Sequence, residues 1–263
     1  LIYTEEALRS GAPVPSLSPR NREALEWFMG EGGHFTVATG RALAAFVNYA
    51  GGVPMNAPAV ICNGAAIYDF QKKEYLDYAL LDEDARRRGQ IILDRFPPLA
   101  VEAYHIDNVI HAVRPNLSPT SRAPDESGGD GGPLLLECPC PGKLLFEAEH
   151  DVLQGVLDQL TKEGWDKDYE LIFSGKTLLE MTAKGANKGG MLLRLAARLS
   201  IAPEHIYCVG DEANDIPMLT AAAQGFAPAN CVEAVRQCGA TVVCDAREGA
   251  LADVVEILEK QYT

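Results

Sequence analysis

The two ends of the chain follow one pattern, in which short apolar runs alternate with helical segments, and the middle of the chain does not. Residues 35–38 and 59–62 are apolar runs of strand length, and a helical pattern at residues 41–49 lies between them. Two strands joined by a helix predict a parallel pairing, because a parallel connection requires a long crossover. We therefore expect an α/β fold with a doubly wound, Rossmann-like parallel-sheet core.

The C-terminal end repeats this alternation. Helices are predicted at residues 188–199, 215–223 and 250–258, and strands at residues 206–209, 225–227 and 241–244. Near the other end, Ser18 and Pro19 predict the start of a helix over residues 18–29, since Ser caps helices and Pro favours their first position. Both ends are therefore expected to contribute to one core domain, formed by residues 1–79 and 184–263.

The middle of the chain, residues 80–183, predicts an inserted α+β domain with an antiparallel sheet. Its predicted elements are helices at residues 82–96 and 152–163 and strands at residues 100–104, 109–113, 143–147, 170–173 and 177–181. Residues 118–133 are rich in Ser, Pro, Gly and Asp, a composition that predicts a mobile loop.

Composition limits the class of partner. The net charge of −14 argues against nucleic-acid binding, which requires clustered Lys and Arg. No apolar run approaches the roughly 20 residues of a membrane-spanning helix, so no membrane partner is expected. Seven cysteines, several of them in apolar runs, are typical of reduced thiols, and we expect a cytoplasmic protein. The negative net charge does not argue against binding of a small phosphate ester, because a metal ion, a few cations and helix N–H groups can bind it. The sequence does not determine the number of subunits.

Three segments contain residues suited to phosphate chemistry. Thr39 and Gly40 follow a predicted strand, where ligands bind in open α/β sheets, although an unliganded Thr-Gly turn has the same pattern. Asp211 and Asp215 follow another strand and offer the carboxylate oxygens that Mg2+ prefers, although an acidic turn capping a helix is the alternative. Lys188 opens a helix, where a cation is unfavourable unless a bound anion compensates it; most single lysines are simply solvated.

Four motifs occur in the order and at the spacing of one known family: Thr39-Gly40-Arg41, Asn63-Gly64, Lys188-Gly189 and residues 210–215. The chain resembles the haloacid dehalogenase phosphatases of the Cof type, in which a cap domain is inserted between the second and third motifs. The resemblance extends from end to end of the chain. It implies a Mg2+-dependent phosphatase that acts on a small-molecule phosphate ester.

The resemblance also implies a role for each motif residue. Thr39 would hydrogen-bond the transferring phosphoryl group, and Lys188 would steady the charge of that group and of the nucleophile. The other motif residues would bind phosphate or substrate (Gly40, Arg41, Asn63, Gly64 and Asn214) or Mg2+ (Asp211 and Asp215).

The family's first motif, Asp-x-Asp-Gly-Thr after an apolar strand, does not occur in the sequence. In the family its first aspartate attacks phosphorus to give an aspartyl phosphate, and its second acts as acid and base. We therefore expect residues 1–263 to be inactive and a full-length parent to be active. Because that strand is central in the family's sheet, its two neighbours are expected to have unpaired backbone groups.

Two functions remain as hypotheses. The first is hydrolysis of small phosphate monoesters, such as phosphosugars or related metabolites, and the second is binding of a phosphorylated metabolite or partner by a catalytically dead relative. Two other signals are set aside. Cys138-Pro139-Cys140 lacks a second Cys or His pair at structural zinc spacing, and the five histidines are expected to be solvated or core residues.

Overall fold

A computed structural model describes residues 16–107, 109–114, 117 and 135–262 of the chain. The predicted loop at residues 118–133 lies outside the described residues. The predicted fold class is confirmed: a Rossmann-like α/β core accompanies a separate antiparallel sheet.

The first helix, α1 (Pro19–Gly30), begins as predicted. The Ser18 side chain accepts a hydrogen bond from the backbone N–H of Asn21 at 3.2 Å, and Pro19 occupies the first helical position. Leu25 of α1 packs with Leu251 of the last helix, α8 (Ala250–Tyr262), in a small apolar cluster. The two ends of the chain are thus held together by helix packing.

The strand, helix, strand unit predicted for residues 35–62 is present. Residues 37–39 run parallel to β1 (Ala59–Ile61), with hydrogen bonds from Val60 N to Val37 O and from Thr39 N to Val60 O, each 2.9 Å long. The intervening helix is α2 (Leu43–Ala50). Parallel pairing brings the turn at Thr39 to the same sheet edge as the turn that follows β1.

Beyond β1 the chain forms an antiparallel extension that was not predicted from the sequence. β1 pairs with β2 (Ala66–Asp69), which pairs with β3 (Glu74–Tyr78). These strands are short and β3 is partly exposed, so their apolar alternation is weak in the sequence.

The C-terminal half of the core is a three-stranded parallel sheet, in which the strand at Gln224–Pro228 lies between those at Tyr207–Val209 and Thr241–Val243. Its elements are α5 (Lys188–Arg198), β9 (Tyr207–Val209), α6 (Ile216–Ala221), β10 (Gln224–Pro228), α7 (Glu233–Arg236), β11 (Thr241–Val243) and α8. The predicted helix at residues 215–223 is shorter than expected, because residues Ala213–Asp215 form a 3-10 turn before α6. The four-residue α7 is too short to show helical periodicity and was not predicted.

The two halves of the core meet without backbone pairing between them. Among the described residues, no backbone hydrogen bond joins residues 35–39 to β9. A cavity of about 350 Å³ separates them, with Phe35 and Val37 on one side and Cys208 and Val209 on the other. Within the described residues, the facing edges of these two strands are therefore not paired with each other, and the unpaired backbone groups expected there stay a prediction.

The cap sheet consists of β4 (Ala100–Tyr104), β5 (Ile110–Val113), β6 (Lys143–Glu147), β7 (Tyr169–Gly175) and β8 (Leu178–Ala183). The strands are all antiparallel, in the order β5-β4-β6-β8-β7. The cap helices are α3 (Glu83–Arg95) and α4 (His150–Lys162). Asp82 caps α3, because its Oδ1 accepts a hydrogen bond from Ala85 N at 2.8 Å. Both contribute to the largest apolar cluster of the protein. The limits of the cap at residues 80 and 183 stay a prediction.

The face of the cap sheet opposite the helices carries buried polar side chains. On β6, Leu144 and Phe146 belong to the apolar cluster, so the alternation of a strand directs Lys143 and Glu147 to the other face. Within the described ranges, no helix is both long enough and apolar enough to cross a bilayer.

Candidate active site

Thr39, Gly40 and Arg41 form a tight turn at the carboxyl end of the first core strand. The Thr39 carbonyl accepts a hydrogen bond from Asn63 N at 2.9 Å, and its hydroxyl accepts one from Arg41 N at 3.2 Å. The Arg41 guanidinium lies 5.0 Å from the centre of the Tyr49 ring on α2. This turn is therefore fixed from both sides, by β1 and by α2.

The Asn63-Gly64 turn follows β1 and requires these residue types. Asn63 is completely buried and adopts φ 53° and ψ 29°, a left-handed conformation that Asn tolerates better than most residues. Gly64 has φ +99°, and a Cβ there would lie 2.2 Å from the Asn187 carbonyl carbon. A Cβ on Gly40 would in turn lie 2.8 Å from Nδ2 of Asn63. The two turns thus pack against each other and against the start of α5.

Lys188 is the first residue of α5, just after Asn187, whose side chain caps the helix by accepting from Gly190 N at 2.9 Å. Lys188 is 6% exposed, and its Nζ lies 2.5 Å from Oδ1 of Asp215. A buried ammonium requires such a partner, because the loss of hydration otherwise costs several kcal/mol. Lys188 is therefore not a solvated surface lysine, which was the alternative interpretation of its position in the sequence.

The loop after β9 is organised around Asp215. Its Oδ2 accepts hydrogen bonds from the backbone N–H groups of Asp211 at 2.9 Å and Glu212 at 3.1 Å. A Cβ on Gly210 would lie 2.4 Å from the Cβ of Asp215, so glycine is needed for the loop to close. Asp215 therefore joins the loop to α5 through Lys188.

Asn214 connects the two halves of the core across the site. Its Nδ2 donates to Oδ1 of Asn63 at 3.0 Å, and both side chains are buried. Nδ2 of Asn63 and Oδ1 of Asn214 are also buried, but they have no hydrogen-bond partner among the described residues. An unsatisfied donor and acceptor are costly in a folded core, and a bound phosphate oxygen or cation would satisfy them.

Asp211 lies in an electrostatic environment that favours a cation. Burial raises the pKa of its carboxyl group, the neighbouring Asp215 carboxylate raises this pKa further, and Lys188 partly offsets the shift. Two carboxylates and the free Oδ1 of Asn214 provide hard oxygen donors, which fit Mg2+. Both Asp215 oxygens already accept hydrogen bonds, so Asp211 is the more available ligand.

The structure brings together predicted residues from all four motifs. The contacts described above link Thr39, Gly40, Asn63, Gly64, Lys188, Asn214 and Asp215. Asp211 lies next to this group. Arg41 adjoins them through the turn but stacks on Tyr49.

Two buried charges of the cap, which the sequence did not predict, lie beside this site. Lys143 Nζ donates to the Gly40 carbonyl at 3.2 Å and pairs with Glu180 at 3.0 Å. Both side chains are at most 5% exposed. The only sequence signal was a charged residue at each end of the apolar strand β6, which does not reveal a contact about 100 residues away in the chain.

Comparison with known proteins agrees with this geometry. Residues 14–255 match the model of the haloacid dehalogenase-like hydrolase family. A 5-amino-6-(5-phospho-D-ribitylamino)uracil phosphatase of Bacillus subtilis, YwtE, is 24% identical over 94% of this chain and 93% of its own length. The phosphoglycolate phosphatase of Methanopyrus kandleri is 38% identical over 97 residues, and the match spans 37% of this chain and 40% of that protein.

Solved structures show the same fold. BT1666 of Bacteroides thetaiotaomicron, described among the phosphatases of the haloalkanoate superfamily, superimposes with a TM-score of 0.76 at 20% identity. The superposition covers 93% of this chain and 88% of that one, so core and cap are both included. The match of the family model over nearly the whole length, together with this fold and site, shows that the chain belongs to the haloacid dehalogenase-like hydrolases.

Proposed function

We propose that this protein, in a chain that includes the nucleophile motif, hydrolyses small phosphate monoesters with the help of Mg2+ through an aspartyl-phosphate intermediate. The observation that carries the proposal is the continuous set of contacts from Thr39 through Asn63 and Asn214 to the Lys188–Asp215 pair. These contacts bring donors, a cation and carboxylates together at the carboxyl ends of the parallel strands of both halves of the core, which is where ligands bind in such folds.

Each residue has a proposed task in phosphoryl transfer. The Thr39 hydroxyl, the Gly40-Arg41 turn and Nδ2 of Asn63 donate to phosphate oxygens, and Lys188 offsets their charge. Asp211 holds Mg2+, which supplies charge neutralisation at the phosphoryl group when bound. Positioning and electrostatic stabilisation are the main requirements of this reaction class.

Asp215 and Asn214 have a supporting task in the proposal. Asp215 orients Lys188 and the Asp211 backbone, and its carboxylate would help Asp211 to hold Mg2+. The unsatisfied Oδ1 of Asn214 accepts from a ligand or contacts the cation. Gly64 lets the turn that carries Asn63 pack directly against the Asn187 backbone at the start of α5.

The nucleophile is the part that the sequence does not contain, since it has no Asp-x-Asp-Gly-Thr. We propose that residues 1–263 retain phosphate binding without turnover, and that a chain carrying this motif is active. The facing backbone edges of residues 35–39 and β9 are the place where a strand ending in that motif would pair.

The polar face of the cap supports a small, hydroxylated leaving group. Lys143, Glu147, Glu180 and Thr182 are buried on this face, and Lys143 touches the Gly40 turn. Such groups hydrogen-bond hydroxyls better than apolar surfaces, so phosphosugars and related metabolites are the proposed substrate class. The similar protein YwtE is likewise a phosphatase of a phosphoribityl compound.

The test is a phosphatase assay on a chain extended by an Asp-x-Asp-Gly-Thr strand, against a panel of phosphosugars with and without Mg2+. Turnover should require Mg2+ and be lost in Asp211→Ala, whereas the exposed Glu204→Gln should retain it. Phosphate binding without turnover in the extended chain would instead support the metabolite-binding hypothesis.

A further inference from the structure

Three side chains with metal-binding groups meet in the cap, away from the candidate active site. One ring nitrogen each of His105 and His111 and the Sγ of Cys138 all lie within 4.8 Å of one another. Within the described part of the chain, no other group of three or more His, Cys, Asp or Glu residues has this spacing. We propose that these residues form a binding site for a thiophilic transition-metal ion, of which Zn2+ is the physiological candidate.

The cap topology places these residues together. His105 directly follows β4, and His111 of β5 lies opposite Ala103 in the strand register. Since side chains alternate along a strand, His105 and His111 share the face on which Ala103 enters the apolar cluster. Cys138, which is 2% exposed, follows the turn Leu135–Glu137, which covers that face. The site is therefore at the rim of the cap core, between a hairpin and a separate segment.

The ring geometry is close to what an ion requires. The two rings are edge-to-face with centroids 4.7 Å apart, and Nδ1 of His111 lies 2.8 Å from Nε2 of His105. A tetrahedral ion with bonds of about 2.0 Å holds neighbouring nitrogens roughly 3.3 Å apart, so the two nitrogens would have to separate by about half an ångström. The Cys138 Sγ lies within 4.8 Å of both rings and would have to close on the ion. Nδ1 of His105 is buried and has no hydrogen-bond partner among the described residues, so one side of this pair is not fixed by other contacts.

Charged side chains of both signs surround the three ligands. The Arg86 guanidinium donates to the Cys138 carbonyl and would repel a cation. The carboxylates of Asp107 and Glu137, which act on His105 and Cys138, would attract one. Burial raises the pKa of the Cys138 thiol and Arg86 only partly offsets this rise, so a bound metal ion must displace the thiol proton.

The ligand types define the metal class. Two imidazoles and a thiolate suit Zn2+, Co2+ and Cu+, whereas Mg2+ prefers oxygen ligands. Three protein ligands leave one coordination position for water. An ion here would connect the β4–β5 hairpin to the segment at residues 135–138, so binding is expected to stabilise the cap independently of phosphate chemistry.

The experiment is a titration of the metal-free, reduced full chain with Co2+ alone, followed by absorption spectroscopy. We expect one equivalent of Co2+ to give a thiolate-to-metal charge-transfer band, and one equivalent of Zn2+ to remove it. Excess Mg2+ should leave the band unchanged. X-ray absorption of the Zn2+ form should show one sulfur and two imidazoles; a shell of oxygen and nitrogen only, or of several sulfurs, would overturn the proposal.

Variants separate this site from the other cysteines. Cys138→Ser should lose the band, and His111→Ala should weaken Co2+ binding at least about tenfold, since even a second-shell change costs about 10–100-fold. Cys140→Ser and Asp211→Ala should retain both band and affinity. Far-UV circular dichroism checks the folding of each variant. Retention of the band in Cys138→Ser, or its loss in Cys140→Ser, would show that the thiolate comes from elsewhere.

Discussion

Nζ of Lys188 lies 2.5 Å from Oδ1 of Asp215, and both side chains are almost completely buried. The pair joins the first turn of α5 to the loop after β9, and the other Asp215 oxygen holds the backbone of that same loop. A single carboxylate thus determines the position of the lysine and of the Asp211 backbone. This relationship explains how charges that are distant in the sequence come together at the candidate site.

Removing the lysine charge should destabilise the fold strongly. Lys188→Met leaves the Asp215 carboxylate buried without its cation, which should cost about 3 kcal/mol in urea unfolding. Lys184→Met is the matched control, because Lys184 is 54% exposed and its ion pair with Glu170 is 3.4 Å long. The control should change stability by less than about 1 kcal/mol. Equal losses in both variants would contradict the importance of the buried pair.

Adding one methyl group at Gly64 should be unusually costly. In Gly64→Ala the new Cβ meets the Asn187 backbone at 2.2 Å and the residue must keep φ +99°, so we expect a loss of about 3 kcal/mol or more. Gly32→Ala tests the backbone conformation alone, since Gly32 has φ +90° with nothing within 4 Å of a Cβ. That variant should lose only about 1 kcal/mol. Chemical denaturation measures the loss of unfolding free energy in each variant. The difference between the two losses is the contribution of the close contact with the Asn187 backbone.

The Lys143–Glu180 pair should hold the cap against the core. Lys143→Met removes the donor to the Gly40 carbonyl and leaves the buried Glu180 carboxylate without its cation. We expect a loss of about 3 kcal/mol and faster hydrogen exchange in the turn at residues 39–41. In the double variant Lys143→Met, Glu180→Gln, part of the lost stability should return, but hydrogen exchange in the turn at residues 39–41 should stay fast. Lys72→Met, at a 67% exposed lysine, is the control and should change neither quantity.

Acid should remove a contribution of Asp253 to stability. Burial acts to raise the pKa of this carboxyl group, but hydrogen bonds from Cys244 and Arg20 outweigh it, so the pKa lies below its usual value. A carboxyl group whose pKa is lower in the folded state stabilises the fold above its unfolded pKa of about 3.9, and this effect disappears as pH falls through the folded pKa.

Asp253→Asn should therefore lower stability by about 1 kcal/mol at pH 7 and by progressively less below about pH 4. Thermal unfolding across this pH range measures the convergence of the two proteins. Glu256→Gln is the control, because Glu256 also pairs with Arg20 but is 58% exposed. A wild-type advantage that persists undiminished in acid would contradict the assigned role of the Asp253 charge.

The sequence by itself determined the local elements and the chemical types at the site. Ser18 and Pro19 start α1 as predicted, since caps depend on neighbouring residues only. The hydroxyl and carboxylate residues after each core strand were predicted for the same reason: a strand followed by a turn places them at one sheet edge. Short elements such as β2, β3 and α7 escaped prediction, because their periodicity is too brief to distinguish from a loop.

Only the tertiary structure decided which of these groups meet. The Asn63–Asn214 contact spans 151 positions and the Lys143–Gly40 contact 103, and no local pattern encodes either. His105, His111 and Cys138 illustrate the same limit, since their spacing fits no sequence motif and a strand register brings them together. The physical reason is that side-chain type follows from local sequence, whereas partnership follows from chain topology and from the burial that makes each unpaired polar group costly.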